Sequence, residues 1–143
     1  MGLLARLLGR RAVPLDELDP DDPSLVLLVE AFDAARADSS VLAEAAERGV
    51  DLDRRVLVRH HLVRLPDGAA VARAAELLGQ DGYALSEPVP DDGGLAVLAT
   101  RTQVLTALSA SQERSRMAGL AQRLGGDVLG WDALGRDPAG PSG

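Results

Sequence analysis

Two adjacent histidines, His60 and His61, are the residues of this sequence best suited by type to bind or catalyse. Arg54, Arg55, Arg59 and Arg64 flank them, and the six make the only local basic patch. An imidazole can ligate a metal or move a proton, and a guanidinium can clamp a phosphate or a carboxylate. Spacing narrows these options. Successive strand residues point to opposite faces, so the pair cannot chelate one metal in a regular strand. No third histidine or carboxylate stands at ligand spacing either. One of the histidines could act as a base or sit in a pocket. The plainer arrangement has one half-buried and the other exposed. The arginines could take a phosphate or an acidic ligand, or pair with acidic sequence of the same chain. Arg55, Arg59, His60 and His61 are therefore candidate contacts for a partner or ligand. No catalytic residue, metal or cofactor is expected.

Other chemistries are missing their groups. The 143 residues contain no cysteine, which removes disulfides, thiolate metal sites and thiol nucleophiles, and is compatible with a reducing cytoplasm. Gly93-Gly94 lacks the glycine, basic residue and hydroxyl of a phosphate loop. No serine sits in a nucleophile elbow. One Phe, one Tyr and one Trp are too few to stack bases on a sheet, and a net charge of −7 opposes binding to a polyphosphate. The same charge suits a basic protein partner. Every basic residue is arginine, which we read as coding bias rather than chemistry. No run approaches the roughly 20 apolar residues that span a bilayer. Met1 to Arg11 is too short, and is interrupted by Arg6, for a secretory signal. It reads as a frayed terminal helix or a weak membrane-surface or partner-docking helix.

The elements that must hold these residues can be read from periodicity. Between Val13 and Asp53 stand twelve acids, opposed only by Arg36 and Arg48. Pro14 to Pro23 is acidic and proline-broken, hence a linker; its acids lack the spacing of a calcium loop. Ser24 is placed to cap a helix through about Ala37, with Leu25, Leu28, Val29 and Phe32 on one face. A short helix follows over Ser40 to Arg48, stopped by Gly49. Arg55 to Leu65 is β-prone and ends at the Pro66-Asp67-Gly68 turn. Ala69 to Leu78 turns helical, and Tyr83 to Val89 and Leu95 to Thr102 read as strands joined by a glycine turn. Thr106 caps a long helix to about Leu124, stopped by Gly125-Gly126. Asp127 to Asp132 is a last short strand.

This succession, β-α-β-β-α-β after a helical N-terminal arm, has the split βαβ, ferredoxin-like order. It predicts an α+β fold with a four-stranded antiparallel sheet and two helices on one face. The segments are 1–23, an N-terminal piece and acidic linker; 24–49, a helical arm; 50–134, the folded domain; and 135–143, a Gly/Pro/Ser-rich disordered tail.

Over about Val50 to Asp132 the chain resembles the bacterial regulators of ribonuclease E activity B, the RraB family. Asp51-Leu52-Asp53-Arg54-Arg55 leading into the histidine strand, Gly82-Tyr83, and the stretch from Thr100-Arg101-Thr102 to Gly125-Gly126-Asp127-Val128-Leu129-Gly130-Trp131-Asp132 carry the likeness. The family's usual ending is Gly-Gly-x-Tyr-Asp-Gly-Trp; here Val128 and Leu129 stand for its Tyr and Asp. The resemblance adds Tyr83 and Trp131 to the candidate partner contacts. Trp131 has two open roles, core anchor or exposed hot spot.

The resemblance implies a non-catalytic, cytoplasmic, protein-binding domain that inhibits an RNase E/G-type ribonuclease and so modulates RNA turnover. The acidic charge and the lack of a long apolar run point, for their part, to no direct nucleic-acid contact and no stable membrane insertion. The alternative is a ferredoxin-like sensor of an anionic metabolite, with a pocket built from His60 or His61 and Arg55 or Arg59. The sequence carries no signal for oligomeric state.

Overall fold

The computed structural model describes residues 17–137. In chain order the elements are β1 (Val26–Ala31), α1 (Asp38–Glu47), β2 (Arg55–Leu65), α2 (Gly68–Gly79), β3 (Ala84–Leu85), β4 (Val89–Asp91), β5 (Gly94–Val104), α3 (Ala107–Arg123) and β6 (Asp127–Gly135). The sheet order is β1-β6-β2-β5-β3, with β4 paired to β5, and every pairing is antiparallel.

The fold is α+β, but the expected four-stranded sheet with two helices is corrected, among the described residues, to a six-stranded sheet with three helices. The helical N-terminal arm is corrected with it. Residues 24–37 form no helix: Val26–Ala31 is an edge strand paired to β6 from Val26↔Gly135 to Ala31↔Trp131. The apolar spacing there suits a helix, but β6 offers an open edge and the Val-Leu-Leu-Val run is β-prone. Ser24 caps nothing; its hydroxyl bonds Asp22 instead. Asp33 then closes a turn onto the Ala35 amide and stops the strand. The second expected strand is interrupted as well. Ser86 accepts from the Leu98 amide and donates its own amide to the Leu98 carbonyl, so Ser86-Glu87-Pro88 runs as a strap between β3 and β4. The last strand continues past Asp132 to Gly135.

The helices lie where the periodicity places them, because their caps are local. Asp67 accepts from the Ala70 amide at the start of α2, and Thr106 with Ser109 forms a capping box at the start of α3. All three helices cover one face. Val56 and Val58 of β2 pack there with Val41, Leu42 and Ala45 of α1 and with Trp131; Leu62 packs with Leu78 of α2 and Met117 and Leu120 of α3. On the opposite, helix-free face a small cluster joins Leu57 and Leu134 to Leu18 and Leu25. The Leu18 amide donates to Thr102 Oγ1 at 3.0 Å, so the acidic segment from Glu17 onward folds back against this face. Met1 to Arg11 and most of the expected tail lie outside the described residues.

Candidate functional site

Alternation along β2 separates the two histidines. His60 points into the helix layer, paired across strands with Ala99 and Trp131, and is 1% exposed. Tyr83 meets it edge-on at 5.8 Å, and neither ring nitrogen has a hydrogen-bond partner. Burial, then the nearby Arg101, His61 and Arg114 charges, push its pKa down to about 4, so it is a neutral core residue near pH 7.

His61 points to the helix-free face, beside Arg59. Asp132, one residue past the buried Trp131, comes up between them. Arg59 Nε donates to Asp132 Oδ1 at 2.7 Å and Arg59 Nη2 to Oδ2 at 2.7 Å; His61 Nε2 lies 3.2 Å from Oδ2. Phe32 closes on the His61 ring edge-to-face at 4.9 Å. Burial of the carboxylate would raise its pKa, but the hydrogen bonds from Arg59 and His61 outweigh that and hold it below the usual value. Asp132 is thus a fixed anion that neutralises Arg59.

The basic patch dissolves accordingly. Arg55 reaches Glu17 at 3.4 Å and the Thr102 carbonyl at 3.1 Å, at the other end of β2. Arg64 pairs with Asp127 at 2.6 Å. Among the described residues, pairing with the acidic N-terminal segment is seen for Arg55, whereas β6 supplies the partners of Arg59 and Arg64.

Tyr83 and Trp131 are core residues. The Tyr83 hydroxyl donates to Glu113, and Arg101 stacks over its ring at 4.3 Å. Burial and the Glu113 bond push the phenol pKa up. Trp131 is 1% exposed, which decides for the core anchor, and its Nε1 donates to Asp38 Oδ1 at 3.2 Å. Arg114 grips the same carboxylate at 2.7 Å. Asp132, Asp38, Arg114 and Glu113 were not singled out in the sequence. Only Asp132 carries a readable signal: once Trp131 is inward, the next residue must face outward beside His61.

Arg59 and His61 line a groove of about 820 Å³ on the helix-free face, floored by Ala96, Leu98 and Thr100 and flanked on one side by β3, the strap and Val89 and on the other by Leu129. Arg55 lines a separate depression at the other end of the sheet. Among the described residues no group of three or more His, Asp or Glu could hold a metal ion, and no helix is long and apolar enough to cross a membrane.

The geometry accounts for the terminal motif. Gly130, at φ +146°, sits at the β2–β6 bulge with the Ala31 carbonyl where a Cβ would stand. Gly126 packs against Leu65 and the Val63 carbonyl, and a Cβ there would come within 2.8 Å of both. The sequence model described as regulator of ribonuclease activity B matches residues 35–133. The chain belongs to this family. The match runs from the approach to α1 to Ala133 within β6 and leaves β1 outside it. No individual curated protein and no solved structure matches the chain. Within this member of the RraB family, the Gly-Gly and Gly-Trp pairs serve the packing of β6, and Leu129 is 54% exposed at the bulge.

Proposed function

We propose that the chain regulates a ribonuclease, of RNase E/G type, by binding it in the cytoplasm, and performs no chemistry on RNA itself. The RraB-family match over residues 35–133 carries this reading. The pairing of Arg59 with Asp132 and the neutral burial of His60 are in keeping with a binding role, since the guanidinium is already neutralised and the imidazole is out of reach of a substrate. A net charge of −7 favours docking on a basic region of the nuclease.

The test adds purified chain to an RNase E/G-type nuclease and follows cleavage of a fluorogenic RNA at increasing salt. The expected result is dose-dependent inhibition that weakens as salt rises, with no cleavage by the chain alone. Unchanged nuclease rates at low salt would overturn the reading.

The second reading, a sensor of an anionic metabolite, draws on the groove beside Arg59 and His61. It is the weaker one because Asp132 already occupies the Arg59 fork. A panel of anionic metabolites that leaves Tm unchanged would remove it.

A further inference from the structure

We propose that the groove on the helix-free face is a docking surface for a basic, apolar segment of a partner protein; this rests on the regulatory binding role above and names the surface for it. Apolar area is the first support. Of the large hydrophobic side chains left exposed, Val89 at 55% and Leu129 at 54% stand on opposite lips of the groove, and Phe32 at 42% abuts the lining residue His61. Exposed apolar side chains gathered on one concavity mark a contact site more than the same side chains scattered singly.

Charge selects the occupant. The one arginine of the lining, Arg59, is neutralised by the bidentate Asp132 pair. The acids of the lining, Asp21, Glu87 and Asp91, have no cation partner among the described residues. The groove therefore offers apolar contacts under an acidic rim. That combination repels RNA and acidic ligands and suits a segment that alternates apolar and basic side chains.

The edge beside the groove settles how the segment lies. β3 is two residues long, and Pro88 and Pro90 follow it, so the edge presents few amides for an added strand. The segment lies across the face, over Leu98 and between the strap and Leu129.

Fluorescence anisotropy with the full chain tests this, using a labelled peptide of about twelve residues that alternates leucine and arginine. A leucine–glutamate peptide and a short oligoadenylate serve as control probes. The wild type is expected to bind only the arginine peptide. Asp21→Arg with Glu87→Arg, and separately Val89→Ser with Leu129→Ser, should each weaken binding by about tenfold or more. Glu47→Arg with Glu76→Arg, on the helix layer, changes net charge equally and should not. Circular dichroism is the check that each variant is folded.

An equal loss in the helix-layer variant overturns the proposal, as does equal binding of the acidic peptide or the oligoadenylate. So does wild-type self-association that the groove substitutions abolish, since the occupant is then a second copy. Full ribonuclease inhibition by the Asp21→Arg, Glu87→Arg chain also overturns it while leaving the regulatory reading intact. Peptide binding without any effect on a ribonuclease removes the regulatory reading and leaves the groove as a binding surface.

Discussion

The carboxylate of Asp132 and the guanidinium of Arg59 meet fork to fork, with both hydrogen bonds at 2.7 Å, although 73 residues separate them in the chain. The Asp132 side chain is 5% exposed and that of Arg59 26%, so the pair is largely out of water. Removing one member leaves the other charge uncompensated. Asp132→Ala should cost on the order of 3 kcal/mol in urea denaturation. Asp127→Ala, which breaks an exposed pair with Arg64, should cost under about 1 kcal/mol. Equal losses from the two would show that the Asp132 pair is not the anchor of this face.

Stability should fall with acid in two stages. The folded-state pKa of His60, at about 4, lies below the ordinary value of 6.5, so its contribution is complete above pH 6.5 and is lost as pH falls from 6.5 towards 4. Across that window the loss is on the order of 3 kcal/mol. Asp132 is also depressed, and its contribution is present above the ordinary carboxylate pKa and lost as pH falls through its lower folded value. His60→Leu should flatten the upper stage and leave the lower one. An unchanged slope between pH 6.5 and 4.5 would place the acid sensitivity elsewhere.

Trp131 should report on the core as the single tryptophan. Its emission should be blue-shifted and resist aqueous quenchers until the chain unfolds. Trp131→Phe keeps most of the packing but removes the bond to Asp38, and should cost about 1–2 kcal/mol. Trp131→Ala opens a cavity between α1, α3 and the sheet and should cost about 3–5 kcal/mol. A native spectrum that quenches like free tryptophan would contradict this packing.

Gly130→Ala tests the bulge. A side chain at φ +146° is strained, and its Cβ would collide with the Ala31 carbonyl of β1. The expected loss is about 2 kcal/mol or more, with faster amide exchange along β1. A variant as stable as the wild type would mean that β1 does not lie against β6 at this point.

Several parts of the fold were legible from residues alone. β2, α2 and α3 stand where alternation, helical period, the Pro66-Asp67-Gly68 turn, the Thr106 cap and the Gly125-Gly126 stop put them. These signals work because they act within a few residues of the chain. The candidate site was legible only in its types. His60 and His61 were known to face opposite ways, but nothing local says which of them meets the helices.

The sequence by itself determined that this chain lacks cysteine, phosphate-loop and nucleophile-elbow chemistry, and that its elements alternate in an α+β manner. Its glycine and tryptophan pattern also determined the family likeness. Tertiary structure alone decided that Val26–Ala31 is an edge strand, because a strand needs a partner's open edge and β6 lies a hundred residues away. It also decided that Arg59 is neutral in effect, since Asp132 reaches it only when β6 lies beside β2. Both outcomes come from pairings between distant segments, whose energy no local pattern contains.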